Sequence, residues 1–115
     1  MNFRTTAVAG LLLALTITPA FAQKNYGPGV SDTEVKIGST GPYSGPVSMA
    51  GTVTKSFAAY FDKINSDNGR INGHKIKIIT ADDGYVPPRT VEQTRKLVEP
   101  DGVLFMADSV GTPTQ

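Results

Sequence analysis

The stretch Gly38-Ser39-Thr40-Gly41-Pro42-Tyr43-Ser44-Gly45-Pro46 constrains this chain most. It follows an alternating run, Val35-Lys36-Ile37, and precedes a long segment with helical periodicity. A strand that breaks into a Gly/Pro/Ser loop and then feeds a helix is the first half of a βαβ unit. In open α/β sheets, ligands bind beyond the carboxyl ends of the strands, where such loops lie. The loop is therefore a candidate ligand wall, with Ser39, Thr40 and Ser44 supplying hydroxyls and Tyr43 between them. A plain connecting turn fits the same composition. A phosphate loop does not, because no Lys follows the glycines and neither GxGxxG nor GxxxxGK[ST] occurs. No cofactor is expected from these motifs.

Downstream, the periodicity alternates twice more. Residues 33–39 read as the first strand. Val53, Phe57, Tyr60, Phe61 and Ile64 then fall on one stripe of a helix over residues 50–68, an aromatic stripe expected to pack on the sheet. Asn68-Gly69 stops that helix. Asn72-Gly73 is a tight turn, and residues 75–80 alternate as a second strand. Pro87-Pro88 opens a second helix, whose apolar face is Val91, Thr94, Leu97 and Val98. Residues 103–107 form a continuous apolar run, as expected of a strand buried on both faces. Residues 108–115 read as a loop entering a third helix.

The predicted fold class is α/β, a parallel three-stranded β-α-β-α-β sheet with helices on its faces. In doubly wound sheets the first and third strands are neighbours and the second lies outside the first. The loops at residues 40–46 and 109–114 then meet at one crevice. Ser109, at the end of the third strand, is the strongest candidate ligand residue. Its hydroxyl and nearby free N–H groups suit an anion such as a carboxylate; an N-cap that satisfies only its own helix uses the same residue type. Thr112 is a second candidate of the same kind.

Other chemistry finds little support. Asp82 and Asp83 are neighbours in an extended segment, so their side chains point to opposite faces and a shared acid/base or metal site is not expected. A surface turn closed by an Asx cap is expected instead. His74, the single histidine, starts the second strand at the end away from the crevice. A secreted α/β hydrolase would need a G-x-S-x-G elbow, which is absent. A receiver-type domain would need acids after the first and third strands.

The N-terminus reads as an export leader over residues 1–22. Arg4 is its only charge, an apolar run follows from Ala7 to Ile17, and Ala20-Phe21-Ala22 fits the A-x-A cleavage pattern. The run is too short for a membrane span, which takes about 20 residues. A lipid anchor needs a cysteine, and the sequence has none. Without cysteine, an exported chain depends on an ordinary hydrophobic core. Lys and Arg number 11 and Asp and Glu 10; with Arg4 removed the exported chain has no net charge. Neither nucleic acid nor a membrane surface is an expected partner. Residues 23–32 read as a flexible lead-in and 33–115 as the folded unit.

In order and spacing, Val35-Lys36-Ile37-Gly38, Tyr43-Ser44-Gly45-Pro46-Val47, Ile71-Asn72-Gly73-His74-Lys75-Ile76, Asp82-Asp83, and Ser109 with Gly111-Thr112-Pro113-Thr114 resemble the periplasmic solute-binding proteins of branched-chain amino acid (leucine/isoleucine/valine) ABC importers. The resemblance covers the chain from about Gly29 onward. It implies a type I binding-protein fold, two lobes closing on a small ligand, with this sequence the N-terminal piece of an incomplete or truncated gene. It also implies a non-enzymatic function, with an amino acid or small organic acid as ligand and ABC permease subunits as partners. Ser109 aligns with the serine that holds the ligand carboxylate. Ala50 falls where amino-acid binders of the family commonly place a tyrosine, and that departure enlarges the pocket locally. Asp108, directly before Ser109, is a second departure. The Gly-Thr-Pro-Thr ending is similar to relatives whose ligands are aromatic or aliphatic acids. An extracellular sensor domain of the same fold is the alternative.

Overall fold

The computed structural model describes residues 24–115 apart from Asn68. The leader read over residues 1–22 lies outside the described residues. Strand β1 (Glu34–Gly41) pairs in parallel with β2 (Lys75–Asp82), in register from Glu34 with Lys75 to Gly41 with Asp82. Strand β3 (Phe105–Met106) pairs in parallel with the other side of β1, so the order is β2-β1-β3. Helix α1 (Gly51–Ser66), preceded by a 3-10 turn over Ser48–Ala50, links β1 to β2. Helix α2 (Pro87–Val98) links β2 to β3. The expected parallel β-α-β-α-β sheet is the one observed, with the crossover between β1 and β3.

Two glycines of β1 show that the helices cover opposite faces. A Cβ at Gly41 would sit 2.8 Å from Thr54 Oγ1 of α1, and one at Gly38 would sit 3.5 Å from Leu97 Cβ of α2. An odd spacing along a strand places the two positions on opposite faces. Lacking a side chain at each, β1 lets both helices approach closely. Leu97 is 2 % exposed and forms the core with Ile37, Ile76 and Val103.

Helix settings differ from the expected stripes. On α1, Val53 is 52 % and Tyr60 60 % exposed, while the buried residues are Gly51 and Thr54. Thr54 fits beneath Gly41, and Asn65 bridges to β2 by donating to Ile76 O (2.7 Å) and accepting from Ile76 N (3.0 Å). The packing of Thr54 under Gly41, its hydroxyl satisfied by Gly51 O (3.0 Å), and the Asn65 bonds to β2 set the helix so that Phe57, Phe61 and Ile64 are half-buried and Val53 and Tyr60 face outward. Phe61 instead meets Phe57 and Tyr60 edge-to-face, with centroids 5.2 and 5.4 Å apart. The Gly69 N–H closes back on Ile64 O at 3.0 Å, a wide helix-ending bond. On α2 the buried residues are Thr90 and Leu97, whereas Val91 and Val98 are exposed.

The third strand also departs from expectation. Only Phe105 and Met106 join the ladder, and burial on both faces is not observed, since Leu104 and Phe105 are exposed while Val103 is buried. At the edge of the sheet β3 has one neighbouring strand, and only its α2 side is covered. The end of the lead-in partly covers the segment before it. Lys36 N donates to Gly29 O at 2.7 Å, and Gly29 lies so close that a Cβ there would be 2.2 Å from Leu104 N. No third helix begins at Ser109; a 3-10 turn over Thr112–Thr114 stands there instead.

Candidate functional site

Because β1 is central and its two partners are parallel to it, all three strands deliver their following loops to one edge. The β1 and β3 walls are cross-linked by one side-chain and one backbone hydrogen bond. Ser39 Oγ donates to Asp108 O at 3.1 Å, and Val110 N donates to Thr40 O at 3.1 Å. Ser109 sits between these two ties, half-buried. Its carbonyl accepts from Gln115 Nε2. Among the described residues, the N–H groups of Ser109 and Gly111 make no hydrogen bond. Asp108 has φ +53 and Gly111 φ +134. The chain thus carries positive φ on either side of Ser109, a conformation that a non-glycine residue such as Asp108 rarely adopts.

The β1 loop is held by a carboxylate at the end of β2. Asp82 Oδ1 accepts from Tyr43 N (2.9 Å), Ser44 N (3.2 Å) and Gly84 N (3.0 Å). Its Oδ2 accepts from Ser44 Oγ (2.6 Å) and from Arg89 Nη2 of α2 (3.2 Å). The Ser44 hydroxyl above all, then the backbone N–H groups of Gly84, Ser44 and Tyr43, hold the Asp82 carboxyl below its ordinary value against partial desolvation. The Asx turns expected at Asp82 and Asp83 are present, but the pair is not a surface turn. Asp83 is fully buried, accepting from Tyr85 N (2.9 Å) and Thr90 Oγ1 (3.0 Å). The two side chains serve opposite sides, as the extended backbone requires.

The candidate residues are therefore placed as follows. Ser109 lies on the β3 wall and Tyr43 and Ser44 on the β1 wall, with the Ser44 hydroxyl engaged by Asp82. Tyr43 packs its ring beside Gly51, with Lys55 Nζ 5.5 Å from its centroid, and its hydroxyl is buried without a partner among the described residues. Ala50 ends the 3-10 turn before α1 and is half-buried. Thr112 opens the 3-10 turn after Gly111 and is exposed. His74 stays at the amino end of β2, its Nδ1 3.1 Å from Asn72 O. No cluster of potential metal ligands occurs among the described residues. A groove of about 590 Å³ runs elsewhere, along Val91, Thr94 and Val98 of α2 and Pro113, Thr114 and Gln115, and none of the candidate residues lines it.

Tyr85 is not singled out in the sequence, and Asp82, expected only to close a surface turn, also holds the β1 loop. The signal for Asp82 was its place in the register. With β1 and β2 ending level at Gly41 and Asp82, the N–H groups just after Gly41 fall beside that carboxylate.

A family model described as periplasmic binding protein matches residues 34–115. Among solved structures, a possible leucine/isoleucine/valine-binding protein from Rhodopirellula baltica SH 1 is 32% identical, with TM-score 0.64, over 72% of this chain and 22% of its own. A fatty acid ABC transporter substrate-binding protein from Thermomonospora curvata is 25% identical, with TM-score 0.65, over 78% of this chain and 23% of its own. A solute binding protein of an ABC transporter from Rhodopseudomonas palustris BisB5, in complex with 3,4-dihydroxy benzoic acid, is 27% identical, with TM-score 0.60, over 73% of this chain and 22% of its own. The chain thus spans less than a quarter of the length of each of these proteins. No curated protein matches the sequence.

Proposed function

We propose that this chain, which belongs to the periplasmic binding protein family, forms the first-lobe wall of an exported receptor that binds a small carboxylate and delivers it to the permease of an ABC importer. The observation that carries the reading is the Ser109 loop. A hydroxyl and the unbonded N–H groups of Ser109 and Gly111 lie at the crossover between β1 and β3, the place where open α/β sheets bind their ligands. The compounds named for the three similar structures, a branched-chain amino acid, a fatty acid and a dihydroxybenzoic acid, share a carboxylate and differ in their apolar part. That common group supports assigning the Ser109 wall to the carboxylate. The half-buried Ala50 and Tyr43 and the exposed Thr112 are assigned to the region nearer the ligand body. In this reading the leader is removed after Ala22 and the protein acts in the periplasm, without catalysing a reaction.

Calorimetric titration of the full-length exported protein, whose intact mass should place its first residue at Gln23, tests the assignment. L-Leucine, 3,4-dihydroxybenzoate and octanoate are compared with their primary amides. At least one carboxylate should bind, its amide should bind much more weakly, and Ser109→Ala should weaken it by roughly 10- to 150-fold, as for loss of one hydrogen bond to a charged group. Equal affinity for acid and amide, or wild-type affinity in Ser109→Ala, rejects the carboxylate assignment.

A further inference from the structure

We infer that Asp82 and Asp83 are positioning residues for the crevice, each carboxylate fixing one of its two walls. The inference rests on reading the crevice as the ligand site, and it concerns how the walls keep their shape. Asp82 gathers three donors from the β1 loop, namely Tyr43 N, Ser44 N and Ser44 Oγ, and anchors them to the start of α2 through Arg89. Within the loop Tyr43 N also donates to Gly41 O at 3.0 Å, whereas Ser44 has no such bond among the described residues, so the Asp82 contacts set where Ser44 stands and share in placing Tyr43.

Asp83 acts on the other wall. Its Oδ1 accepts from Tyr85 N and its Oδ2 from Thr90 Oγ1, and its own N–H donates to Gly41 O at 3.1 Å. Tyr85 is held at φ +66, a conformation costly for an aromatic residue. In that conformation its ring lies against the β3 loop: a Cβ at Gly111 would be 2.8 Å from Tyr85 Cε2. Tyr85 thus braces the turn that follows Ser109 from the far side of β1. Neighbouring carboxylates on an extended backbone must diverge, and here the divergence links two loops that are far apart in sequence. Neither carboxylate needs to touch the ligand.

Amide hydrogen exchange on the full-length exported protein separates this from general destabilisation. Asp82→Ala should reduce protection at Tyr43 and Ser44 by about tenfold or more, the effect of losing a bond to a charged acceptor. Val110 and Thr114 on the β3 wall should keep their protection. Asp82→Asn retains an acceptor oxygen and should restore most of the loss. Asp83→Ala should show the converse pattern, with faster exchange at Val110 and Thr114 and little change at Ser44, and Asp83→Asn, which keeps an acceptor for Tyr85 N, should restore most of it. Should a variant fail to fold, Ser44→Ala stands in for the first arm and Tyr85→Gly, which accepts positive φ, for the second, each with the same local pattern expected. Uniform change across both walls, or no change in either, overturns the inference. Titration of the same variants with L-leucine and 3,4-dihydroxybenzoate should weaken whichever binds the wild type. If neither binds, the ligand assignment fails while exchange still decides the positioning role.

Discussion

Asp82 shows how one residue can be read correctly by type and wrongly by role. An acid before Asp83-Gly84 at a strand end is a normal Asx-turn residue, and it does close that turn on Gly84. The structure adds the Tyr43 and Ser44 donors from a loop 38 to 39 residues away, and with them a pH dependence. Its folded carboxyl is held below the ordinary aspartate value, so the unfolded chain binds more protons in that range. Stability from this group is therefore fully present above about pH 4 and is lost as the pH falls through the folded value. The urea midpoint of the wild type should drop between pH 5 and pH 3 by more than that of Asp82→Asn, which has no such charge to lose. Parallel pH profiles in the two proteins would show that the carboxylate is not linked to folding.

At the level of elements, the helices and the third strand were located by period but not by orientation. The stripe through Val53, Phe57, Tyr60, Phe61 and Ile64 is a genuine helical repeat. Part of it, Val53 and Tyr60, is turned outward because Thr54 packs into the gap at Gly41 and Asn65 makes polar contacts with β2 that no apolar side chain could make. The same limit applies to the turn after β3. Gly111, at φ +134, has Thr114 Oγ1 2.3 Å and Tyr85 Cε2 2.8 Å from where a Cβ would stand. Gly111→Ala therefore meets both a forbidden backbone region and a steric clash, and should destabilise the protein by about 1–3 kcal/mol. Chemical denaturation would measure it, while Gly27→Ala, with nothing within 4 Å of its Cβ, should change little. Equal effects at the two glycines would mean that the Tyr85–Gly111 packing is not maintained in solution.

Across the molecule, few side chains hold the layers together. Among the described residues the buried hydrophobic side chains are Ile37, Ile76, Leu97 and Val103, whereas Val53, Tyr60, Val91, Val98, Leu104 and Phe105 are among the large apolar residues left exposed. Each buried aliphatic side chain contributes about 1.5–3 kcal/mol, and ordering each residue costs roughly 1–2 kcal/mol of backbone entropy. So small a core gives little margin. Exposed apolar surface on α1, α2 and the β3 edge also favours association. Material spanning residues 23–115 alone should unfold broadly on heating or self-associate at micromolar concentration, as followed by calorimetry and sedimentation. A sharp two-state transition from a monomer would contradict this.

By itself the sequence determined the order and type of the elements and the edge of the sheet where the two loops meet. Those follow from local physics: the switch between a period of two and a period of 3.6, the Gly and Pro residues that end each run, and the chirality that makes βαβ crossovers right-handed. Only the tertiary structure decided which face of each helix is buried, how much of the 103–107 run joins the sheet, and what Asp82, Asp83 and Tyr85 hold in place. Each of these depends on a partner distant in the chain. Thr54 needs the gap at Gly41, Leu104 needs the backbone of Gly29, and Asp82 needs the N–H groups of Tyr43 and Ser44. No local pattern records such meetings, because the side chains and N–H groups involved become neighbours only when β1 and β2 align in parallel register and the crossover brings β3 to the other side of β1.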